Sequence, residues 1–383
     1  MSGDFGKMLA GLRPLRHLDH PREMIRQFTP NWFAATMGTG VLALALPQVP
    51  AIGDRLRPIG EALWLFDILL FAAFSCLYAA RWLLFGHEAR RIFGHNVVSM
   101  FIGTIPMGLA TIVNGFLVFG LPLWGEAVIP VAQGLWWIDV AMALACGVAI
   151  PYLMFTRQEH RLDQMTAIWL LPVVAAGVAG VSGGLLAPHL ADPDAQFATL
   201  VASYVLWAYS MPVAFGILVI LILRMALHQL PHGSMAASSW LALGPIGTGA
   251  LGMLALGGDA PAILAAHGLA AIGPVAQGIG AITGLGLWGF GLWWLILATA
   301  ITVRYFRAGV PFNLGWWGYT FPLGVYALAT FRLGTTLHSG VFGIVGAVLT
   351  AALAAMWAIV ATQTLRGGWK GGLFVSPCLT TID

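Results

Sequence analysis

The chain has 383 residues, of which 59% are hydrophobic and only 9% charged, with a mean hydropathy of +0.85. An ordinary soluble domain carries about 25% charged residues, so a soluble fold is excluded and an integral membrane protein is implied. The net charge of +3 is too small to point to a nucleic-acid partner, and Cys76, Cys146 and Cys378 form no CxxC pair, so neither a disulfide framework nor a zinc site is expected.

The first 28 residues are basic, but no apolar run with a small-residue cleavage site follows them, so a removed signal peptide is not expected. The stretch from Phe5 to Phe28 mixes Leu, Met and Phe with Arg and His; it reads as an interfacial helix or as a disordered tail. From Pro30 onward, apolar stretches of near membrane-spanning length recur. Ten spans are predicted, at 30–48, 60–85, 97–119, 129–155, 167–187, 196–223, 236–256, 274–303, 315–333 and 340–365. The seventh is the least sharply bounded, because apolar sequence continues through "GGDAPAILAAHGLAAIGP" into the eighth. That linker reads as a re-entrant segment or a short surface helix. The expected organisation is therefore an all-α membrane domain over 29–366, between an N-terminal segment (1–28) and a C-terminal tail (367–383).

Orientation follows from the basic residues. With the N-terminus cytoplasmic, that side holds Lys7, Arg13, Arg16, Arg22, Arg26, Arg81, Arg90, Arg91, Arg157, Arg161, Arg224, Arg304, Arg307, Arg366 and Lys370. The other side holds only Arg55, Arg57 and Arg332. This is a positive-inside bias that places both termini in the cytoplasm. Trp32, Trp82, Trp124, Trp136, Trp316 and Trp369 fall near predicted span ends, as an aromatic belt requires.

The odd-numbered spans share an element. Span 3 has "IPMGLATI" around Pro106, span 5 "LPVVAAGVAG" around Pro172, span 7 "GPIGTGALGM" around Pro245 and span 9 "FPLGVYALAT" around Pro322. The prolines are 66, 73 and 77 residues apart. Span 1 has no matching proline but carries "MGTGVLALAL", with Gly38 and Gly40, and three spans carry Pro-x-Gly (Pro106/Gly108, Pro245/Gly247, Pro322/Gly324). The pattern predicts five helical hairpins, each with one bent, glycine-rich helix and one straighter helix. Close packing of small residues explains any one proline. A mid-span proline in four of five odd spans points further, to equivalent helices bent around a common axis. There, backbone freed by the bend is tolerated because it faces a water-filled passage.

Phe321 precedes the bend in span 9, where the other odd spans have Met37, Ile105, Leu171 and Gly244. One ring among smaller groups is a candidate plug, against the reading of a core aromatic. No odd span carries a charged residue in its central portion, which excludes the usual acidic filter of a cation channel. Thr39 and Asn114 either offer hydrogen bonds to a passing solute or satisfy neighbouring backbone. Asp67 and Asp139 are intramembrane acids on even spans, candidates for proton coupling by default, with a hydrogen-bonded acid in an outer layer as the bland reading. Arg332 ends span 9 and reads as a helix C-terminal cation. His228/His232 and His17/His20 lack a third ligand, so no metal is expected. Without GxxxxGK[ST], GxSxG or a His box, neither ATP hydrolysis nor an enzyme is expected, and no cofactor.

"FTPNWFAATMGTGVLALAL" in span 1 and "NLGWWGYTFPLGVYALAT" in span 9 resemble the tellurite-resistance/dicarboxylate transporter family. Its relatives include slow-type anion channels of plant guard cells, yeast malate permeases and fungal sulfite pumps. The resemblance covers roughly residues 28–365. It implies ten transmembrane helices in five hairpins, odd helices lining a central pore and even helices outside. It also implies a homotrimer with one pore per subunit, and a pore closed by Phe321. The expected activity is that of an anion channel or uniporter of the cytoplasmic membrane, moving a four-carbon dicarboxylate such as malate, or sulfite or another inorganic oxyanion. The alternative is a proton-coupled carrier using Asp67 or Asp139.

Overall fold

The structure, a computed structural model, describes residues 14–380. Lys7, Arg13 and residues 5–13 of the segment from Phe5 to Phe28 lie outside the described residues. Ten α-helices of twelve residues or more are present among the described residues, with no strand. They are α1 (Ala34–Ala45), α2 (Gly53–Leu84), α3 (Thr104–Gly115), α4 (Ile129–Thr156), α5 (Leu171–Leu186), α6 (Pro193–His228), α7 (Leu243–Ala266), α8 (Ile272–Ala308), α9 (Phe321–Thr336) and α10 (Gly340–Lys370).

Two kinds of helix alternate. The odd-numbered helices have 12 to 24 residues, most of them buried, while the even-numbered ones have 28 to 37 residues and bury few. The odd helices contact one another in a closed ring, α1–α3–α5–α7–α9 and back to α1. Each even helix lies in the groove between two of them: α2 on α1 and α3, α4 on α3 and α5, α6 on α5 and α7, α8 on α7 and α9, α10 on α9 and α1. Seven helical stretches are long and apolar enough to cross a membrane; 30–48 and 315–333 fall outside the seven.

Tryptophan closes the ring. Trp64 on α2 donates to the Ile112 carbonyl of α3 (3.2 Å), Trp136 on α4 to the Ala179 carbonyl of α5 (2.9 Å), and Trp207 on α6 to the Gly249 carbonyl of α7 (3.1 Å). Trp288 on α8 donates to Thr330 Oγ1 of α9 (2.9 Å), and Trp357 on α10 to Thr39 Oγ1 of α1 (3.0 Å). Every outer helix thus reaches the inner helix of the following pair, and the last reaches the first. Trp136, expected in an aromatic belt, is fully buried in this role, and Trp32 is buried against Phe28 and Phe374.

The prolines sit where the sequence did not place them. Pro172 and Pro322 are the second residues of α5 and α9, and Pro106 and Pro245 the third residues of α3 and α7. Each follows a separate short helical segment: Val98–Gly103, Ala167–Leu170, Ser238–Leu241 and Leu314–Tyr319. The break therefore precedes the proline, and the proline opens an α-helix rather than bending one. In a first turn its missing N–H costs nothing, because those N–H groups have no intrahelical acceptor. The linker expected as a re-entrant or surface piece is instead the continuation of α7 to Ala266, followed by a short turn into α8.

Two of the basic residues counted for orientation are structural pins. Arg81 is fully buried and donates to the Phe28 carbonyl and Ser376 Oγ; Arg224 is buried and donates to the Gln229 and Asp163 carbonyls.

Candidate functional site

A cavity of about 370 Å³ lies inside the ring, at the end where its five helices begin. Its wall takes residues from the first turns of all five: Ala34 and Met37 of α1, Thr104 and Met107 of α3, Leu171 and Val174 of α5, Gly244 and Pro245 of α7, Phe321 and Pro322 of α9. The short segments preceding them add Asn31, Phe101, Ile168, Ser238, Leu241, Trp317 and Gly318. No Lys, Arg, Asp or Glu lines it among the described residues. Five helix N-termini converge on one uncharged cavity. Each carries the partial positive charge of a helix N-terminus, while the first N–H groups of α1, α3 and α5 bond back to the short segments before them; the dipoles favour a negatively charged solute without fixing a counter-ion.

The rim is built by side chain to backbone bonds. Asn313 Nδ2 donates to the Ser234 carbonyl (3.0 Å), its Oδ1 accepts from the Gly315 N–H (2.8 Å), and Thr104 Oγ1 donates to the Pro30 carbonyl (2.8 Å). The C-terminal strap crosses the same mouth: Gly372, Leu373, Val375 and Pro377 line it, and the Ser376 N–H donates to Gln27 Oε1 (2.8 Å).

Phe321 is 4% exposed and is the first residue of α9. It lines the cavity together with Met37, Met107, Val174 and Gly244. Of the residues expected just before the bends, Met37, Leu171, Gly244 and Phe321 line the cavity and Ile105 does not; Met107 stands there for α3.

Several residues expected to line a passage do something else. A Cβ on Gly38 would overlap Thr320 Oγ1, one on Gly40 Thr111 Oγ1, one on Gly108 Thr36 Oγ1 and one on Gly324 the Val41 side chain. A Cβ on Gly247 would come 2.9 Å from the Tyr326 backbone nitrogen. These five glycines face neighbouring helices, and their lack of a side chain sets how closely the ring can pack. Thr39 is turned outward to accept from Trp357. Pro106 and Pro172 are buried without lining the cavity. Asn114 lies further along α3; its Oδ1 is buried without a hydrogen-bond partner among the described residues, as is Thr248 Oγ1 on α7.

The two acids lie outside the cavity, each three residues after a ring-closing tryptophan, and both are fully buried. Asp67 accepts from Thr111 Oγ1 (3.3 Å), while both oxygens of Asp139 lack a partner among the described residues. The five tryptophans are the feature that reading the sequence missed. Their signal was present, because one falls inside each even span at the same interval of about 70 to 80 residues that the prolines show.

Comparison with known proteins gives this ring a context. Residues 27–365 match the family model described as a voltage-dependent anion channel. The chain is 36% identical over 354 residues to a sulfite efflux pump of Arthroderma otae, covering 91% of this chain and 93% of that protein. It is 27% identical over 355 residues to an uncharacterized transporter of Methanocaldococcus jannaschii (92% and 96% covered). With the malic acid transport protein of Schizosaccharomyces pombe it shares 24% identity over 358 residues (90% and 79% covered). The match runs from before the first inner helix almost to the end of the last outer one, and the chain belongs to the voltage-dependent anion channel family.

Proposed function

We propose that the chain conducts small anions through the centre of its five-helix ring, chiefly outward across the cytoplasmic membrane, and that Phe321 closes the passage. The observation that carries this reading is the uncharged cavity on which five helix N-termini converge. In the proposed arrangement all ten helices cross the bilayer as five hairpins, inner helices around the pore and outer helices toward lipid. The end with most basic residues, where the cavity opens, faces the cytoplasm. The family resemblance supports a homotrimer with one passage per subunit.

Sulfite is the first candidate substrate and malate the second, following the named relatives and their degrees of identity. The buried, unpartnered Asn114 Oδ1 and Thr248 Oγ1 beyond Phe321 suit a path that is wet when open. Electrical work favours efflux. One charge is worth about 2.3 kcal/mol per 100 mV, so a dianion at about 150 mV, negative inside, is driven outward by roughly 7 kcal/mol.

Asp139 supports a second reading, a proton-coupled carrier, because an intramembrane acid with two unpartnered oxygens is a candidate proton site. A flux panel in proteoliposomes decides between them, with sulfite, malate, succinate, nitrate and chloride at set voltages and pH gradients. Conduction predicts efflux that follows voltage without a pH gradient. Uptake against a concentration gradient, driven by a pH gradient alone, would reject it in favour of the carrier.

A further inference from the structure

We propose that Arg90, Arg91 and Arg157 form a binding site for the phosphate of an anionic phospholipid headgroup, at the end of the molecule where the five inner helices begin. The three side chains line one open depression between the ends of α2 and α4, together with Trp82, Phe93 and His95. None of the three makes an ion pair among the described residues. Glu88, which Arg91 influences electrostatically, is already held by Arg26 at 2.6 and 2.9 Å. That guanidinium keeps the Glu88 carboxyl below its usual range. Glu159, the one acid lining the depression among the described residues, is exposed and forms no salt bridge with any of them.

The depression is built rather than incidental. Gln158 Nε2 donates to the Phe93 carbonyl (2.9 Å) and to Ser99 Oγ (3.1 Å), and Asn96 Nδ2 donates to the Glu159 carbonyl (3.2 Å). The loop after α2 and the loop after α4 are thus tied into one surface. His95 is oriented by accepting from the Val97 and Val98 N–H groups at 3.1 and 3.3 Å. Three guanidiniums on a fixed floor suit the tetrahedral oxygens of a phosphate, which planar forks bind in pairs of hydrogen bonds.

The surroundings select a lipid over a soluble phosphate. Leu83 (85% exposed), Leu84 (65%) and Phe155 (81%) flank the depression on the outward faces of α2 and α4. Such side chains are at home only in hydrocarbon, so the arginines sit at headgroup depth, where Trp82 also fits. Buried Cys378 touches the depression from the short helix Pro377–Thr380, which continues the strap that lines the cavity mouth. A headgroup bound here would therefore abut that strap.

The inference needs the chain to lie in a bilayer but not to transport anything, so binding is read without flux. The full-length chain, stripped of lipid in detergent, is titrated with phosphatidylglycerol and with phosphatidylcholine and followed by native mass spectrometry. Phosphatidylglycerol should be retained selectively. One basic residue near a membrane surface is worth about fivefold in affinity, so each single Arg→Gln change should weaken retention about fivefold. R90Q/R91Q/R157Q together should weaken it about a hundredfold. R304Q/R307Q, which removes two exposed charges elsewhere at the same end, should leave retention unchanged. If the triple variant unfolds early, exposed Arg91→Gln alone carries the comparison. Equal retention of both lipids, an equal loss in the R304Q/R307Q control, or stoichiometric displacement of phosphatidylglycerol by inorganic phosphate would overturn the site.

Discussion

Helices α1 and α2 are neighbours in the chain and opposites in what they face. All twelve residues of α1 are buried, and these include two threonines and two glycines; α2 buries five of its 32 and shows Leu69 at 70% and Phe66 at 48% exposed. In a soluble domain such large apolar side chains would face inward. Here lipid rewards Leu and Phe on the outside, while the inside needs small residues for close backbone approach and polar groups for solute. By length and composition α2 stands among the seven apolar spans, and the stretches containing α1 and α9 fall outside them. On the proposed function the ring holds the solute path; the outer layer holds the ring.

That division can be broken at the ring first. The nearest atom to a Cβ built on Gly244 is Pro322 Cγ at 3.9 Å, so a side chain fits on the cavity wall. Two like charges about 6 Å apart at an effective dielectric of about 20 repel by about 2.8 kcal/mol. Gly244→Asp should therefore cut anion flux about a hundredfold, and Gly244→Asn should change it little. An equal loss in both would mean that bulk, and not charge, decides passage at this wall.

Packing between the layers is tested next. A side chain on Gly40 overlaps Thr111 Oγ1 and crowds Asp67, so Gly40→Val should cost about 1–3 kcal/mol of stability. Gly278→Val on α8, where a Cβ meets nothing within 4 Å, should cost far less. Thermal unfolding in detergent reads both. Trp136→Phe removes one ring-closing bond and should cost about 0.6 kcal/mol, the average for hydrogen bonds between helices in membranes. Half-exposed Trp124 is the control, and an equal shift there would remove the latch from the account.

Asp139→Asn sharpens the same division. If the outer layer is scaffold, flux and its pH dependence stay within about twofold of wild type, a change of about 0.4 kcal/mol; loss of pH dependence would move Asp139 into the transport path. The smallest effect is expected at the far end. His267 Nε2 lies 3.0 Å from Asp194 Oδ1, and its ring stacks on Phe197 at 4.4 Å. The Asp194 carboxylate, then the Ile263 carbonyl, raise the His267 pKa above 6.5. Its contribution to stability is therefore complete below the unfolded value and fades as pH rises through the raised folded one. His267→Gln should lower the unfolding temperature slightly at pH 5.5 and not at pH 9; a shift of equal size at both would assign the effect to packing.

Much of the alternation was legible, because the repeat of Pro and Gly in odd spans marks five equivalent helices whatever their exact ends. The first-turn position of Pro172 and Pro322 was not, since a proline that opens a helix and one that bends it look alike in sequence when apolar residues flank both. Gly38, Gly40 and Gly324 were assigned to the passage because small residues serve it and helix contacts equally; only the direction of the absent Cβ separates the two. Thr39 was drawn outward by Trp357, 318 residues away, a partner that no local pattern announces. Phe321 stood out for a simpler reason. It is the one ring at a position that smaller side chains occupy in the other four helices.

The central claim, that anions pass through the ring and Phe321 blocks them, is tested most directly by anion efflux from liposomes, normalised to folded protein, for wild type, Phe321→Leu, Phe321→Ala and Phe331→Ala. Phe331 sits on the same helix but faces α10, where a Cβ on Gly346 would approach its ring to 2.5 Å. Were Phe321 a packing residue, its truncation would cost about 3–5 kcal/mol and release no flux. The account predicts a well-folded Phe321→Ala protein with strongly raised flux, Phe321→Leu in between, and Phe331→Ala no more permeable than wild type. A well-folded Phe321→Ala protein whose flux is at or below the wild-type level would contradict it.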